Sequence, residues 1–153
     1  MFEPAVKVPM LISQPGRIKE NTVCKDLIPQ IGLYPTLAEL TDTMPVLVQP
    51  LAHIENAPEK LDAESFAASV YDPGSEPVKE IFTEFKIKDK GHAQYMLRNG
   101  KYKYVYYETG EGMLFDLEKD PGELINLFND PDFFTIKNEL HKKTLDNIFP
   151  LGA

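Results

Sequence analysis

The dipeptide Asn99-Gly100 restricts the second half of this chain more than any other feature. Both residue types tolerate positive φ, which a two-residue hairpin turn demands. Tyr95-Met96-Leu97-Arg98 leads into the pair, and Lys-Tyr-Lys-Tyr-Val-Tyr-Tyr-Glu, residues 101–108, leads out of it. Upstream, residues 80–87 alternate: Ile81, Thr83, Phe85 and Ile87 fall on one face, and Phe82, Glu84 and Lys86 on the other. That is the period-two signature of a strand. Downstream, Gly110 and Gly112 flank a second turn, and residues 113–117 read as a further strand. The sequence therefore predicts an antiparallel meander of four strands over residues 80–117.

A helix closes the chain. Asp130 suits an N-cap and Pro131 a first helical position. Phe133, Ile136, Leu140, Leu145 and Ile148 recur at helical steps and predict one apolar stripe that packs on a face of the meander. Tyr102, Tyr104, Tyr106 and Tyr107 could stack bases or sugars, but cross-strand aromatic packing against this helix is the favoured use.

The first half is punctuated by proline. Residues 6–13 (Val-Lys-Val-Pro-Met-Leu-Ile-Ser) read as a short apolar strand, with Pro9 at its start, an edge or a bulge. Pro15-Gly16 ends it with a turn. Leu27–Leu40 is helical in character but interrupted by Pro29 and Pro35, the latter suited to a first turn. Residues 41–58 are proline-rich and aperiodic, which predicts a loop and a subdomain boundary. A short helix is expected within residues 59–71, with Leu61, Phe66 and Val70 as its apolar members.

The formal net charge of -8 repels phosphate backbones, so nucleic acid is not an expected partner. No apolar run approaches the ~20 residues of a membrane helix, and residues 1–16 lack the pattern of a signal peptide. With one cysteine, Cys24, no intrachain disulfide is possible.

Three stretches, in this order, resemble the sulfatase family of the alkaline-phosphatase-like superfamily. Residues 1–16 carry an aromatic-Glu pair (Phe2-Glu3), a Lys7-Val8-Pro9 step, an apolar run and Pro15-Gly16. Leu33-Tyr34-Pro35-Thr36-Leu37 is similar to the family's Pro-Thr-Leu helix start. Arg98-Asn99-Gly100-Lys101-Tyr102-Lys103-Tyr104, then Leu114-Phe115-Asp116-Leu117-Glu118-Lys119-Asp120-Pro121-Gly122-Glu123 and Asn126-Leu127, resemble the family's C-terminal signature. Two features depart from the pattern: Gly32 stands where the family usually has Asp, and Asp-Gly-x-Ser-Leu is not recognisable around residues 46–53.

The resemblance implies an α+β chain. A remnant of the large sulfatase α/β sheet would be followed by the four-stranded antiparallel sheet packed on the C-terminal helix. Residues 1–57 would form the edge of the catalytic domain and residues 58–153 the C-terminal subdomain. It implies a full-length parent that hydrolyses sulfate esters with calcium and a formylglycine made from Cys/Ser-x-Pro-x-Arg. Cys24 sits in Thr-Val-Cys-Lys-Asp, without Pro or Arg at those offsets, so no catalytic residue, metal ligand or cofactor is expected in this chain. His53, His92 and His141 lack metal-ligand spacing, and His141 is expected near a helix C-terminus. His92 and Arg98 are candidates for the rim of a substrate pocket. The turn at Asp120-Pro121-Gly122-Glu123 is expected to be structural. The expected partner is the missing N-terminal catalytic half, with self-association through residues 6–13 as a second possibility. A phosphonate or phosphodiester hydrolase of the same superfamily, or a non-catalytic interaction domain, remain alternatives.

Overall fold

The computed structural model describes residues 1–43, 63–75, 78–86 and 92–149. Two compact units divide the chain: residues 1–10 with 79–153, and residues 11–78. The expected boundary at residues 57/58 lies outside the described residues, but residues 1–10 cluster with the meander, not with the Pro-Thr helix.

The first unit is built on strands β1 (Glu80–Lys86), β2 (Ala93–Asn99), β3 (Tyr102–Tyr107) and β4 (Gly112–Asp116), paired antiparallel in sequence order. Ile87, expected to extend β1, lies outside the described residues. The hairpin joining β2 to β3 differs from the expectation by one residue. Asn99 pairs with Tyr102, so the central turn positions are Gly100 and Lys101. Gly100 has φ +54° while Lys101 is not in the positive-φ region, which is the pattern of a II′ turn with glycine first. Asn99 therefore ends β2, and its side-chain amide donates to Glu80 Oε2 at 2.7 Å.

One face of the sheet carries Phe82, Tyr95, Leu97, Tyr104, Tyr106 and Leu114. Against it packs helix α4 (Phe134–Ile148), entered through a 3-10 turn at Pro131–Phe133. Asp130 caps that turn by accepting from Asp132 N at 3.0 Å, as its N-cap role requires. Leu97, Tyr104, Leu114 and Leu140 form the buried cluster, joined by Phe82, Tyr106, Leu127, Phe128, Phe133 and Ile136. The tyrosines are packing residues: Tyr95 stacks between Phe82 and Tyr106, and Tyr104 stacks on Phe128. The outer edge of β4 is closed locally, because Leu127 N donates to Leu114 O and Asn126 Oδ1 accepts from Leu114 N. An edge strand blunted this way is a poor template for further pairing.

Residues 3–6 form a helical turn, α1 (Glu3–Val6), with Pro4 in its first turn. The strand expected over residues 6–13 is not formed: Val6 belongs to α1, and residues 7–13 join no ladder. An apolar run becomes a strand only where a ladder partner exists, and Pro9 removes one donor outright. The expected remnant of the large sheet is thus absent as strand among the described residues of the first 43.

The second unit centres on α2 (Leu33–Leu40), with Pro35 in its first turn as expected, and α3 (Ala67–Tyr71). Thr36 is fully buried; its hydroxyl donates to Gly32 O at 2.7 Å and accepts from Phe66 N at 2.9 Å. The helix expected within residues 59–71 is shorter, since its described helical part begins at Ala67, and Leu61 lies outside the described residues. Among the described residues no helix is long and apolar enough to cross a membrane.

Candidate functional site

Strand alternation puts Arg98 and Lys103 opposite each other on the sheet face away from α4, with Phe115 next to Lys103 on β4. Sequence alone would leave Lys103 in water, yet its side chain exposes no surface. Its ammonium lies 2.7 Å from Glu123 Oε1 and 3.2 Å from Glu3 Oε1. Glu123 Oε2 also accepts from Glu3 N at 2.5 Å. Phe2 packs on Phe115, with ring centroids 6.1 Å apart. One buried ammonium between two carboxylates thus fastens the Phe2-Glu3 pair, the Tyr-Lys-Tyr strand and the Asp-Pro-Gly-Glu turn to each other. The sequence reading missed this cluster. The available signal was a lysine in the middle of an otherwise apolar and aromatic strand, at a position whose neighbours are buried.

The rest of the C-terminal signature does local structural work. Asp116 is buried; its Oδ1 accepts from Glu118 N and Lys119 N, and Lys101 Nζ lies 3.1 Å from Oδ2. Burial pushes the Asp116 carboxyl up, but the Lys101 ammonium and those two amides outweigh it and hold the group below the usual carboxylate range. Asp120 Oδ2 accepts from Ile125 N at 2.8 Å, and Asn126 Oδ1 accepts from Leu114 N and Phe128 N at 3.0 Å each. Glu123 sits at φ +55°, the left-handed region, held there by its ion pair.

His92 and Arg98 are not brought together. Six residues along an extended strand separate them by roughly 20 Å. His92 is exposed just before β2. Arg98 is half-buried, and its Nε and Nη1 have no hydrogen-bond partner among the described residues. His53 lies outside the described residues. His141 is in the middle of α4, not near its C-terminus, because the helix runs on to Ile148. Its Nδ1 is 2.9 Å from the Tyr104 hydroxyl, and its ring meets Tyr106 edge-on with centroids 5.0 Å apart. Burial first, and Tyr106 second, push the Tyr104 hydroxyl up to about 12. A Tyr104 hydroxyl held neutral keeps its proton for this contact, and which of the two atoms donates is set by the His141 tautomer.

Within the second unit, Ser13-Gln14-Pro15-Gly16-Arg17 matches the letters Ser-x-Pro-x-Arg, which the sequence reading passed over. Pro15-Gly16 forms the expected turn: Gly16 has φ +78° and Gln14 O accepts from Arg17 N and Ile18 N. Gln14 Nε2 and Arg17 Nη1 both donate to Leu40 O at the end of α2, and Arg17 lies over the Tyr71 ring. Ser13 and Cys24 are exposed. Among the described residues no three His, Cys, Asp or Glu side chains converge as a metal would need. These residues do not fit a calcium ion, which takes six to eight oxygen ligands.

An antiparallel sheet under one helix, with the first and third signature stretches joined by a buried ion cluster, defines a C-terminal subdomain of the sulfatase class. Residues 1–148 match the family "N-sulphoglucosamine sulphohydrolase, C-terminal", and the chain belongs to it. Arylsulfatase K from Gallus gallus is 33% identical over 130 residues, a match covering 83% of this chain and 23% of that protein. The Delta 4,5-hexuronate-2-O-sulfatase of Bacteroides thetaiotaomicron is 29% identical over 150 residues, covering 95% of this chain and 29% of that one. A solved 2-O GAG sulfatase superimposes with a TM-score of 0.57 at 27% identity over 76% of this chain and 23% of that one. The phosphonate monoester hydrolase of Agrobacterium radiobacter shares the fold, with a TM-score of 0.54 at 21% identity over 75% of this chain and 23% of its own. The chain thus spans about a quarter of the length of these relatives and corresponds to the C-terminal portion of a sulfatase.

Proposed function

We propose that this chain supplies the C-terminal portion of a sulfate-ester hydrolase and completes its fold, the catalysis residing in the remainder of the enzyme. Residues 1–57 then belong to the edge of the catalytic domain and residues 58–153 to the C-terminal subdomain. The observation that carries the reading is the Glu3–Lys103–Glu123 cluster, since it joins the first residues of the family match to its Tyr-Lys-Tyr strand and Asp-Pro-Gly-Glu turn. Calcium and formylglycine belong to the parent enzyme. Substrate is a sulfate monoester; the sequence relatives at 29–33% identity are named sulfatases, which favours sulfate over phosphonate. Arg98, with two unpartnered nitrogens, stands nearer a pocket rim in this reading than His92. Self-association through residues 6–13 remains a second mode, now resting on the exposed Val8 and Met10 side chains and not on a strand edge.

The test is an assay of the purified chain with a generic aryl sulfate and calcium. No turnover above buffer is expected. Turnover that disappears in Ser13→Ala or Cys24→Ala would place the nucleophile in this chain and overturn the reading.

A further inference from the structure

The sheet has two edges, and that of β4 is closed by Asn126 and Leu127. The other belongs to β1, and the ladder shows which of its groups face outward. Lys79 O accepts from Gly100 N, so residues 79, 81, 83 and 85 exchange their backbone hydrogen bonds with β2. The N–H and C=O groups of Glu80, Phe82, Glu84 and Lys86 therefore point away from the sheet. Within this unit no described residue answers them. Phe85, on the same strand, is 50% exposed. Charges such as Glu84 and Lys86 ordinarily blunt an edge, yet seven extended residues with unpaired amides are also a template for another strand.

We propose that β1 pairs antiparallel with β1 of a second copy, about a two-fold axis at Thr83, joining two four-stranded sheets into one. Outward-facing residues must oppose outward-facing residues, so the axis falls on a residue and not between two. With the axis at Thr83, Glu80 stands opposite Lys86 of the second copy at both ends of the seam. On the other face Ile81 stands opposite Phe85 of the second copy, again twice, and the two Thr83 side chains meet at the centre. Opposite charges, apolar pairs and threonine pairs are the combinations that stabilise facing strands. Phe82 then meets Glu84, which sets no like charges together. An axis at Phe82 would put Glu80 against Glu84 twice, and one at Glu84 would put Glu84 against itself. The charge pattern of the edge thus selects one register, and its occupant is the strand itself.

The test is sedimentation of the full chain at on the order of 100 µM, a range suited to a small edge interface. The wild type is expected as a dimer. Lys86→Glu sets Glu80 against another carboxylate at both ends, and Glu80→Lys sets Lys86 against another ammonium. Each variant alone should weaken the dimer about tenfold or more. An equimolar mixture of the two restores opposite charges at both ends and should regain the wild-type dimer. Glu84→Pro is a check that leaves Glu80 in place, whose carboxylate also accepts from Asn99 and Lys143. It deletes an outward N–H and no bond to β2, so the circular dichroism should match wild type and the dimer should be lost. A monomeric wild type would overturn the proposal. So would single variants that stay dimeric, or a mixture that stays monomeric while both chains keep their fold. If Glu80→Lys unfolds, Glu84→Pro decides: a monomer supports pairing through β1, and a persisting dimer places the contact elsewhere and refutes it.

Discussion

Lys103 Nζ lies 2.7 Å from Glu123 Oε1, and neither side chain has more than 2% of its surface exposed. Breaking a buried pair by removing one partner leaves an uncompensated charge and costs about 3–5 kcal/mol. Lys103→Met should therefore destabilise the chain by about that amount, because Glu3 and Glu123 would then face each other without a cation. Lys103→Met/Glu123→Gln should recover part of the loss. Urea unfolding of the full chain checks both. A Lys103→Met change below about 1 kcal/mol, the range of surface pairs, would show that the cluster is not a fastening.

Asp116 sets an acid limit on stability. Its folded carboxyl lies below the ordinary range, so its contribution is fully present above the ordinary value near 4 and is lost as pH falls through the lower folded value. Asp116→Asn should lower stability at neutral pH and flatten the loss between about pH 4 and the acid end. Urea midpoints recorded across pH measure this. An unchanged acid slope in the variant would contradict the assignment to Asp116.

The alkaline side belongs to Tyr104, held at about 12 by burial. A folded value above the unfolded one near 10 favours the folded state below pH ~10, and the advantage is lost as pH rises toward ~12. Ultraviolet titration should find a tyrosine that ionises near 12 and is missing in Tyr104→Phe. The variant should also lose about 1 kcal/mol with the hydrogen bond to His141.

Gly112 is a close-approach glycine. A Cβ there would stand 2.3 Å from Phe128 Cε2 and 2.7 Å from Val105 O. Backbone cannot retreat as a side-chain tip can, so Gly112→Ala should cost about 1–3 kcal/mol as overpacking. Gly110→Ala meets no neighbour and carries only the strain of its φ of +88°. Thermal melts of the two variants separate these causes, and a stable Gly112→Ala would contradict the packing of Phe128 on β4.

The meander, the α4 stripe and its Asp130-Pro131 start were legible because each follows from local spacing and cap chemistry. The features that were not legible depend on long-range partners. Residues 6–13 have strand composition, but whether they pair is decided by a ladder that their own sequence cannot specify. The turn shifted from Asn99-Gly100 to Gly100-Lys101 because the Asn99 side chain finds Glu80, a residue 19 positions away. Lys103 is held in the interior by Glu3, 100 residues distant, and by Glu123, countercharges that its local sequence does not announce. Thr144, outside the predicted stripe, is fully buried, and its hydroxyl is satisfied there by donating back to Leu140 O at 2.8 Å.

The central claim is that this chain can stand as the C-terminal portion of a sulfatase. A hybrid tests it most directly. In the Bacteroides thetaiotaomicron hexuronate-2-O-sulfatase, the 29% of the protein matched by this chain would be replaced with residues 1–150 of this protein. The measurement is turnover of that enzyme's own sulfated substrate, with a version lacking the region altogether as control. The account predicts a soluble hybrid that cleaves sulfate while the deletion does not. A hybrid as insoluble or inactive as the deletion would contradict it.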